Sequence, residues 1–480
     1  MRKNSCFIGF LGALTITACE RKEERPNILF IYADDLGYMD LACYGSEFYE
    51  TPNIDKLAEQ GVLFTDAYMT PVCSPSRNSL MTGKHSVRNG LTDWLGSPGP
   101  EQALNNPNWS RKMLPAPSSD RLEMEEVTIA DLFKQAGYRT FFAGKWHLGP
   151  EGYWPEDQGF DINKGGYSTG TPRGVNGYFS PYNNPRLSDG EPGEELPMRL
   201  AVETIKFLES YDGKPFFAML SFYLPHVPLA APDFLIQKYE KKREDNPVEP
   251  KYAFENGQRV RQYQDHPVYA GMIEWLDTAF GVVLDKLDEL GLADNTIVVF
   301  SSDNGGLSIT DGWPTSNYPL RGGKGWLYEG GIRVPLIIRD PFINRAGSVV
   351  QTPVMAYDFL PAFMDMAGLI QHIPDDLDGE SFYPALKGHE MGKRALYWHY
   401  PHYGNQGGWP GGIIRYGDYK LIHLFENDKF ELYDLADDIG ENINLVEKRP
   451  EVADKLIGKL KAWQQDNDVL MPVPNPNYNP

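Results

Sequence analysis

Two acidic strand ends and one solitary thiol carry the chemistry of this sequence. Asp34 and Asp35 close the apolar run NILFIYADD, and Asp303 and Asn304 close NTIVVFSSDN. Three carboxylates and an amide are hard oxygen donors, suited to calcium or magnesium rather than zinc. One adjacent acid pair at a strand end is more commonly a helix cap or turn, whereas two in the same sheet argue for a metal. Between them, PVCSPSRNSLMTGKH sets Cys73 against Ser74, Pro75, Ser76 and Arg77. With 4 cysteines in 480 residues, the chain has neither a disulfide framework nor a Cys-x-x-Cys metal pair. Ser74 suits the N-cap of a helix, Pro75 its first position and Gly83 its end. The helix N-terminus then faces Cys73 with backbone N–H groups that favour an anion, and Arg77 adds charge one turn in. A buried structural cysteine is the default for a free thiol, and a thiolate nucleophile is the alternative. Neither explains a hard cation nearby, because thiolate is a poor ligand for calcium.

Positioning these groups requires a sheet. NILFIYADD is a continuous apolar run ending in acids, as a buried parallel strand reads. The pattern recurs in YRTFFAGKWH, ending in Lys145 and His147, in PFFAMLSFYLPH, ending in His226, and in NTIVVFSSDN. Amphipathic stretches such as TIADLFKQAG and YAGMIEWLDTAFGVVLDKLDELG lie between them. Strands alternating with helices predict an α/β fold with a large, mixed, mostly parallel sheet flanked by helices. In such sheets the site lies beyond the carboxyl ends of the strands, where all four runs deliver polar or ionisable residues. From about Ile370 the texture changes to short antiparallel strands in RALYWHYPHYG, GGIIRYGDYKLIHL and KFELYDL, then a helix over PEVADKLIGKLKAWQQD. A smaller C-terminal α+β domain is expected there.

The formal net charge of −21 argues against a nucleic-acid partner, and an anionic substrate needs a locally basic pocket. Arg2 and Lys3 precede an apolar run from Cys6 to Ala18, the length of a signal-peptide core and too short to span a bilayer. It ends Ile16, Thr17, Ala18, Cys19, which resembles the bacterial lipobox, in which the cysteine is lipidated; an ordinary cleaved signal is the alternative. The expected organisation is a lipoprotein signal over 1–18, a tether over 19–25, a catalytic domain over 26–370 and a C-terminal subdomain over 371–480. The expected location is outside the cytoplasm, lipid-anchored to a bacterial outer membrane on its periplasmic face or at the cell surface, with no transmembrane segment. Cys43 reads as an inert packed thiol.

CSPSR followed by LMTGKH resembles the modification signature of type I sulfatases, in the alkaline-phosphatase superfamily. ADDLGYMD, GKWHLG, HVPLAAP and SSDNGG…LRGGKGWLYEGGIR resemble that family's other blocks, in order. Met39 stands where the family usually has glycine. GFDINKGG, YFSPYNNPRLSDG and RYGDYKLIHLFENDKFELYDLADDIGE are most similar to the arylsulfatase A and N-acetylgalactosamine sulfatase group. The resemblance implies an alkaline-phosphatase-like fold and oxidation of Cys73 by a maturase to Cα-formylglycine (3-oxoalanine), whose hydrate offers hard oxygens. It implies one Ca2+ held by Asp34, Asp35, Asp303, Asn304 and the modified Cys73. One hydroxyl of the hydrate attacks sulfur to give a covalent sulfo-enzyme, and deprotonation of the other expels sulfate. His147 suits that base role, Lys145 and Arg77 stabilise the oxyanion, and His226 and Lys324 neutralise the sulfate, with His226 protonating the leaving oxygen.

The implied substrate is a sulfated glycan, either an algal polysaccharide such as ulvan, carrageenan or fucan, or a host glycosaminoglycan or mucin glycan. Candidate sugar contacts are Arg173, Arg321, His399, His402 and Trp409, although the aromatics equally suit a domain interface. Some superfamily members use the same modified cysteine on a phosphoryl centre, so a phosphodiesterase or phosphonate monoester hydrolase is the runner-up. A non-catalytic surface glycan-binding lipoprotein would have lost Cys73, Arg77 or an acid ligand, and none is lost.

Overall fold

The structure, a computed structural model, describes residues 25–479, so the expected signal run and Cys19 lie outside the described residues. Nine strands form the main sheet: β1 (Asn27–Ala33), β2 (Val62–Tyr68), β3 (Arg139–Gly144), β4 (Ile162–Lys164), β5 (Phe216–Ser221), β6 (Thr296–Ser302), β7 (Arg333–Arg339), β8 (Ser348–Val350) and β9 (Val354–Met355). Their spatial order is β8-β2-β7-β6-β1-β5-β3-β4, with β9 also pairing β2. Only β7 runs against its neighbours. The other pairings are parallel. The four apolar runs singled out in the sequence are β1, β3, β5 and β6, adjacent in the middle of the sheet.

Central parallel strands are covered on both faces, which is why β1 is buried at every residue. Its side chains alternate: Leu29 and Ile31 join one core with Trp275, Leu276 and Phe280, while Ile28 and Phe30 join the opposite core with Phe359 and Phe363. Helix α1 (Cys73–Thr82) follows β2, α2 (Pro267–Glu289) covers the first face and α3 (Phe359–Met366) the second.

A second sheet, β10 (Ala395–Tyr400), β11 (Gly411–Tyr416), β12 (Tyr419–Leu424) and β13 (Lys429–Asp434), is an antiparallel meander. One of its faces packs Trp398, Ile413 and Ile422 against Tyr68, Trp326 and Ile332. The other packs Ile414, Leu421 and Leu432 under Leu456 and Leu460 of α4 (Pro450–Asp466). Phe382, Ala385 and Leu386, just past the expected boundary, still belong to the core of the large sheet. Ion pairs bind the two sheets together: Lys420 lies 2.9 Å from Glu329 and 2.7 Å from Glu441, and Arg415 lies 2.8 Å from Asp66. Among the described residues no helix is long and apolar enough to cross a membrane.

Candidate active site

Helix α1 begins at Cys73 itself. Val72, in extended backbone, takes the cap position without a side-chain cap bond, so Ser74 and Pro75 are the second and third helical residues, not cap and first. The turn is tied back through Ser76 instead, whose hydroxyl accepts from the Thr70 N–H (2.9 Å) and donates to the Val72 carbonyl (3.2 Å). Ser74 is thereby left for the site: its Oγ lies 3.2 Å from His147 Nδ1 and accepts from the Leu95 N–H at 3.2 Å. Gly83 ends the helix as expected, at a left-handed φ of +66°.

The carboxyl ends of the four central strands supply the rest. Asp34 and Asp35 leave β1, Lys145 and His147 leave β3, His226 follows β5, and Asp303 and Asn304 leave β6. Asp35 (φ +64°) and His147 (φ +57°) adopt left-handed backbone, a strain kept where surrounding structure enforces it.

Each carboxylate meets a cation. Lys145 Nζ lies 2.7 and 2.8 Å from the two oxygens of Asp34. Arg77 donates to Asp303 Oδ2 from Nε (2.9 Å), with Nη2 at 2.8 Å, while Nη1 donates to the Lys145 carbonyl and to Ser221 Oγ, both at 2.8 Å. Lys324 Nζ lies 2.6 Å from Asp35 Oδ2, with His226 Nε2 at 3.6 Å from the same atom. Burial opposes the charge on Asp35, but Lys324, with Lys145, holds it below the usual carboxylate range. Burial likewise opposes Asp303, and Arg77 with Lys145 holds it low. For Asp34 burial dominates over Lys145, and the carboxyl is pushed up.

The two histidines are neutral. Burial, then Lys145 and Arg77, push His147 well down. Burial lowers His226 to about 3, with Lys324 and Lys145 pushing the same way against Asp35. His226 Nδ1 is 2.6 Å from the Val227 carbonyl, so that nitrogen carries the proton and Nε2 faces Asp35 as an acceptor. Cys73 Sγ lies 3.4 Å from His147 Nδ1. Burial pushes the thiol up despite Lys145 and Lys324, so an unmodified Cys73 is a protonated, weak nucleophile rather than a thiolate.

The carboxylates of Asp34 and Asp35 and a ring nitrogen of His226 come within 4.8 Å of one another. Asn304 Nδ2 donates to Asp35 Oδ1 at 2.9 Å, and the Asp35 N–H donates to Asp303 Oδ1 at 3.1 Å, so the four expected oxygen donors adjoin. Asn304 Oδ1 is buried without a hydrogen-bond partner. A buried carbonyl oxygen left unsatisfied among carboxylates is what a hard divalent cation would complete, so the donor set fits calcium.

A cavity of about 490 Å³ opens above this cluster, lined by Asp35, Cys73, His147, His226, Lys324 and Arg173 among others. Arg173 is exposed, with Nε donating to Thr169 Oγ1 at 3.0 Å. Other sugar-contact candidates are held elsewhere. Arg321 is forked onto Glu255 (2.7 and 2.8 Å), stacks over Tyr328 and does not line the cavity. His399 is buried at the Leu470 carbonyl (2.9 Å) against Phe425. His402 is buried at Thr92 Oγ1 (2.9 Å) and Trp409 packs in the inter-sheet core, both outside this cavity. Sequence reasoning missed Trp94, Leu95, Thr169, Gly170, Asn405 and Gln406, which do line it. Asn405 and Gln406 lie in the glycine-rich GNQGGWPGG, whose loop signal could have marked them.

The Sulfatase family matches residues 26–369, and a family described as N-sulphoglucosamine sulphohydrolase, C-terminal, matches residues 323–466. A sulfatase of Formosa agariphila is 31% identical over 93% of this chain and 90% of its own. Arylsulfatase A of Homo sapiens is also 31% identical, over 92% of this chain and 87% of its own. The crystal structure of Ps i-CgsB in complex with k-i-k-neocarrahexaose matches with a TM-score of 0.73 at 26% identity, covering 95% of this chain and 94% of that one.

Proposed function

The chain belongs to the sulfatase family and is a sulfuric ester hydrolase, and from that premise we propose that it cleaves sulfate from a sulfated carbohydrate at Cys73 matured to Cα-formylglycine. The observation that carries this reading is the meeting of Cys73, His147, His226 and Lys324 in one cavity over three matched ion pairs. Three carboxylates and three cations balance there, so a divalent cation would leave the pocket positive for an anionic ester on an otherwise acidic chain.

Asp34, Asp35, Asp303 and Asn304 Oδ1 would hold calcium, which supplies Lewis-acid polarisation of the sulfate oxygens. The hydrated aldehyde supplies the nucleophilic hydroxyl and a second hydroxyl through which the site is regenerated. The chain's own groups do the remainder. His147, neutral and 3.4 Å from Sγ, can take a proton at Nδ1. Lys145 is fully buried, acts electrostatically on Cys73 and, with Arg77, offers fixed positive charge to an oxyanion there. Lys324 reaches the cavity and meets the sulfate. His226 also lines the cavity; an arriving anion offsets the pressure from Lys324 and Lys145, which raises its proton affinity for transfer to the leaving oxygen.

The carbohydrate class is supported by a relative solved with a neocarrahexaose bound, and by Trp94, Arg173 and Asn405 around the cavity mouth. The sequence around Cys19 supports an exported, lipid-anchored enzyme, and the CSPSR signature makes a maturase a required partner. The reading is tested by sulfate release from 4-methylumbelliferyl sulfate and from sulfated oligosaccharides, set against hydrolysis of an aryl phosphodiester. Preference for sulfate is expected. Preference for the phosphodiester, or activity in a Cys73→Ala variant, would overturn it.

A further inference from the structure

A second, smaller cavity of about 160 Å³ adjoins the first, with Trp94 and Asn405 lining both. Trp109, Arg111 and Tyr403 form a corner of its lining. The corner is built on the backbone of Met113: Trp109 Nε1 donates to the Met113 carbonyl (3.1 Å), and the Met113 N–H donates to Tyr403 Oη (3.2 Å). Trp109 and Tyr403 stand edge to face, and the Arg111 guanidinium lies 5.2 Å from the centre of the Tyr403 ring.

Arg111 has no ion-pair partner among the described residues, in a chain with 66 acidic and 45 basic residues. The carboxylates nearby are occupied. Glu426 accepts from Tyr403 Oη at 2.7 Å. Asp93 accepts from Tyr400 Oη (3.0 Å) and the Trp94 N–H (2.9 Å). An unpaired guanidinium over an aromatic ring can present its donor fork to an incoming anion, and aromatic faces suit the apolar face of a sugar ring.

We propose that this second cavity binds the neighbouring unit of a multiply charged oligosaccharide, with Arg111 reading a second sulfate or carboxylate while Cys73 meets the ester to be cleaved. The inference rests on the sulfatase reading above and adds to it that the substrate is a polyanionic chain rather than a singly sulfated small molecule. Arg111 is a specificity residue and takes no part in bond cleavage.

The test compares wild type, Arg111→Gln and Arg111→Lys on 4-methylumbelliferyl sulfate, which has no second anion, and on two probes: a multiply sulfated carrageenan hexasaccharide and a multiply sulfated heparin oligosaccharide. Arg111→Gln is expected to raise KM for the oligosaccharide that is turned over by about ten- to hundredfold, with kcat and all aryl-ester kinetics unchanged. Arg111→Lys is expected to recover part of the loss. Equal losses on aryl ester and oligosaccharide, or an unchanged KM, overturn the inference. So does turnover of the aryl ester with release from neither oligosaccharide, which leaves the sulfatase reading standing. Failure on every ester, by protein shown to be matured at Cys73, overturns both.

Discussion

Arg77→Ala removes one guanidinium and unsettles three partners. In the native site Arg77 is 2% exposed and Asp303 0% exposed, and two of the guanidinium nitrogens lie 2.9 and 2.8 Å from Asp303 Oδ2. Without Arg77, Asp303 keeps the Asp35 N–H at 3.1 Å but loses the cation in contact with it. Removing one partner of a buried pair costs about 3–5 kcal/mol. The Lys145 carbonyl keeps a donor, because Ser221 Oγ also reaches it at 2.8 Å, so the cost concentrates on Asp303. Loss of a fixed positive group where charge develops lowers kcat by about 10²–10³. Arg77→Lys separates the two effects. A lysine can restore charge beside Asp303 but cannot also bridge Ser221 and the Lys145 carbonyl, so most of the stability returns while kcat stays at least about tenfold low. The assay is aryl sulfate turnover, normalised to the fraction of Cys73 matured because Arg77 belongs to the CSPSR signature, alongside denaturant unfolding. An Arg77→Ala protein as stable and active as wild type, or an Arg77→Lys protein with wild-type kcat, refutes the reasoning.

A Cβ at Gly170 would come 2.4 Å from His147 Cε1, so Gly170→Ala displaces the ring and lowers kcat by about a hundredfold with the unfolding midpoint unchanged; Gly99→Ala, which meets nothing within 4 Å, is the control. Arg173→Ala raises KM without loss of stability, because that arginine is exposed and its side chain donates to Thr169 Oγ1 at the surface. Arg321→Ala does the reverse, leaving KM alone and lowering the unfolding midpoint, because it strands Glu255 in a half-buried position. Burial pushes Asp93 up to about 7, above its unfolded value near 4. The folded state therefore holds that proton more tightly, and this group's contribution to stability is lost as pH rises from about 4 through about 7. Asp93→Asn removes the titration, so the unfolding midpoint of wild type relative to the variant falls between about pH 4 and about pH 7; a constant difference contradicts the assignment.

The sequence disclosed the parts of this molecule whose environment is set by chain direction. β1, β3, β5 and β6 were legible because a strand buried on both faces must be apolar throughout, and the abrupt switch to Asp34, Lys145, His226 and Asp303 marks where it leaves the core. The meander β10–β13 and α4 were legible from short alternating runs and a helical stripe. The start of α1 was misjudged by two residues, because Ser74 and Ser76 both carry hydroxyls and only the fold decides that Ser76 ties the turn and Ser74 turns to His147. Arg321 stands three residues before Lys324, yet Gly322 at φ +73° reverses the chain between them and sends the arginine to Glu255. Of the aromatic stretch after β10, His399 goes inward to the Leu470 carbonyl, His402 lines the second cavity, and Asn405 and Gln406 reach the first. Trp94 and Trp109 come to the site from loops with no periodic signal, so nothing local announced them.

Catalysis depends on the state of Cys73. The most direct measurement takes preparations matured to different extents, quantifies by mass spectrometry the fraction of the Cys73 peptide carrying the aldehyde, and measures sulfate release from the same samples. The expected rate is proportional to the aldehyde fraction and passes through zero, with Cys73→Ala inactive and folded. Full activity from protein whose Cys73 is entirely thiol would contradict it.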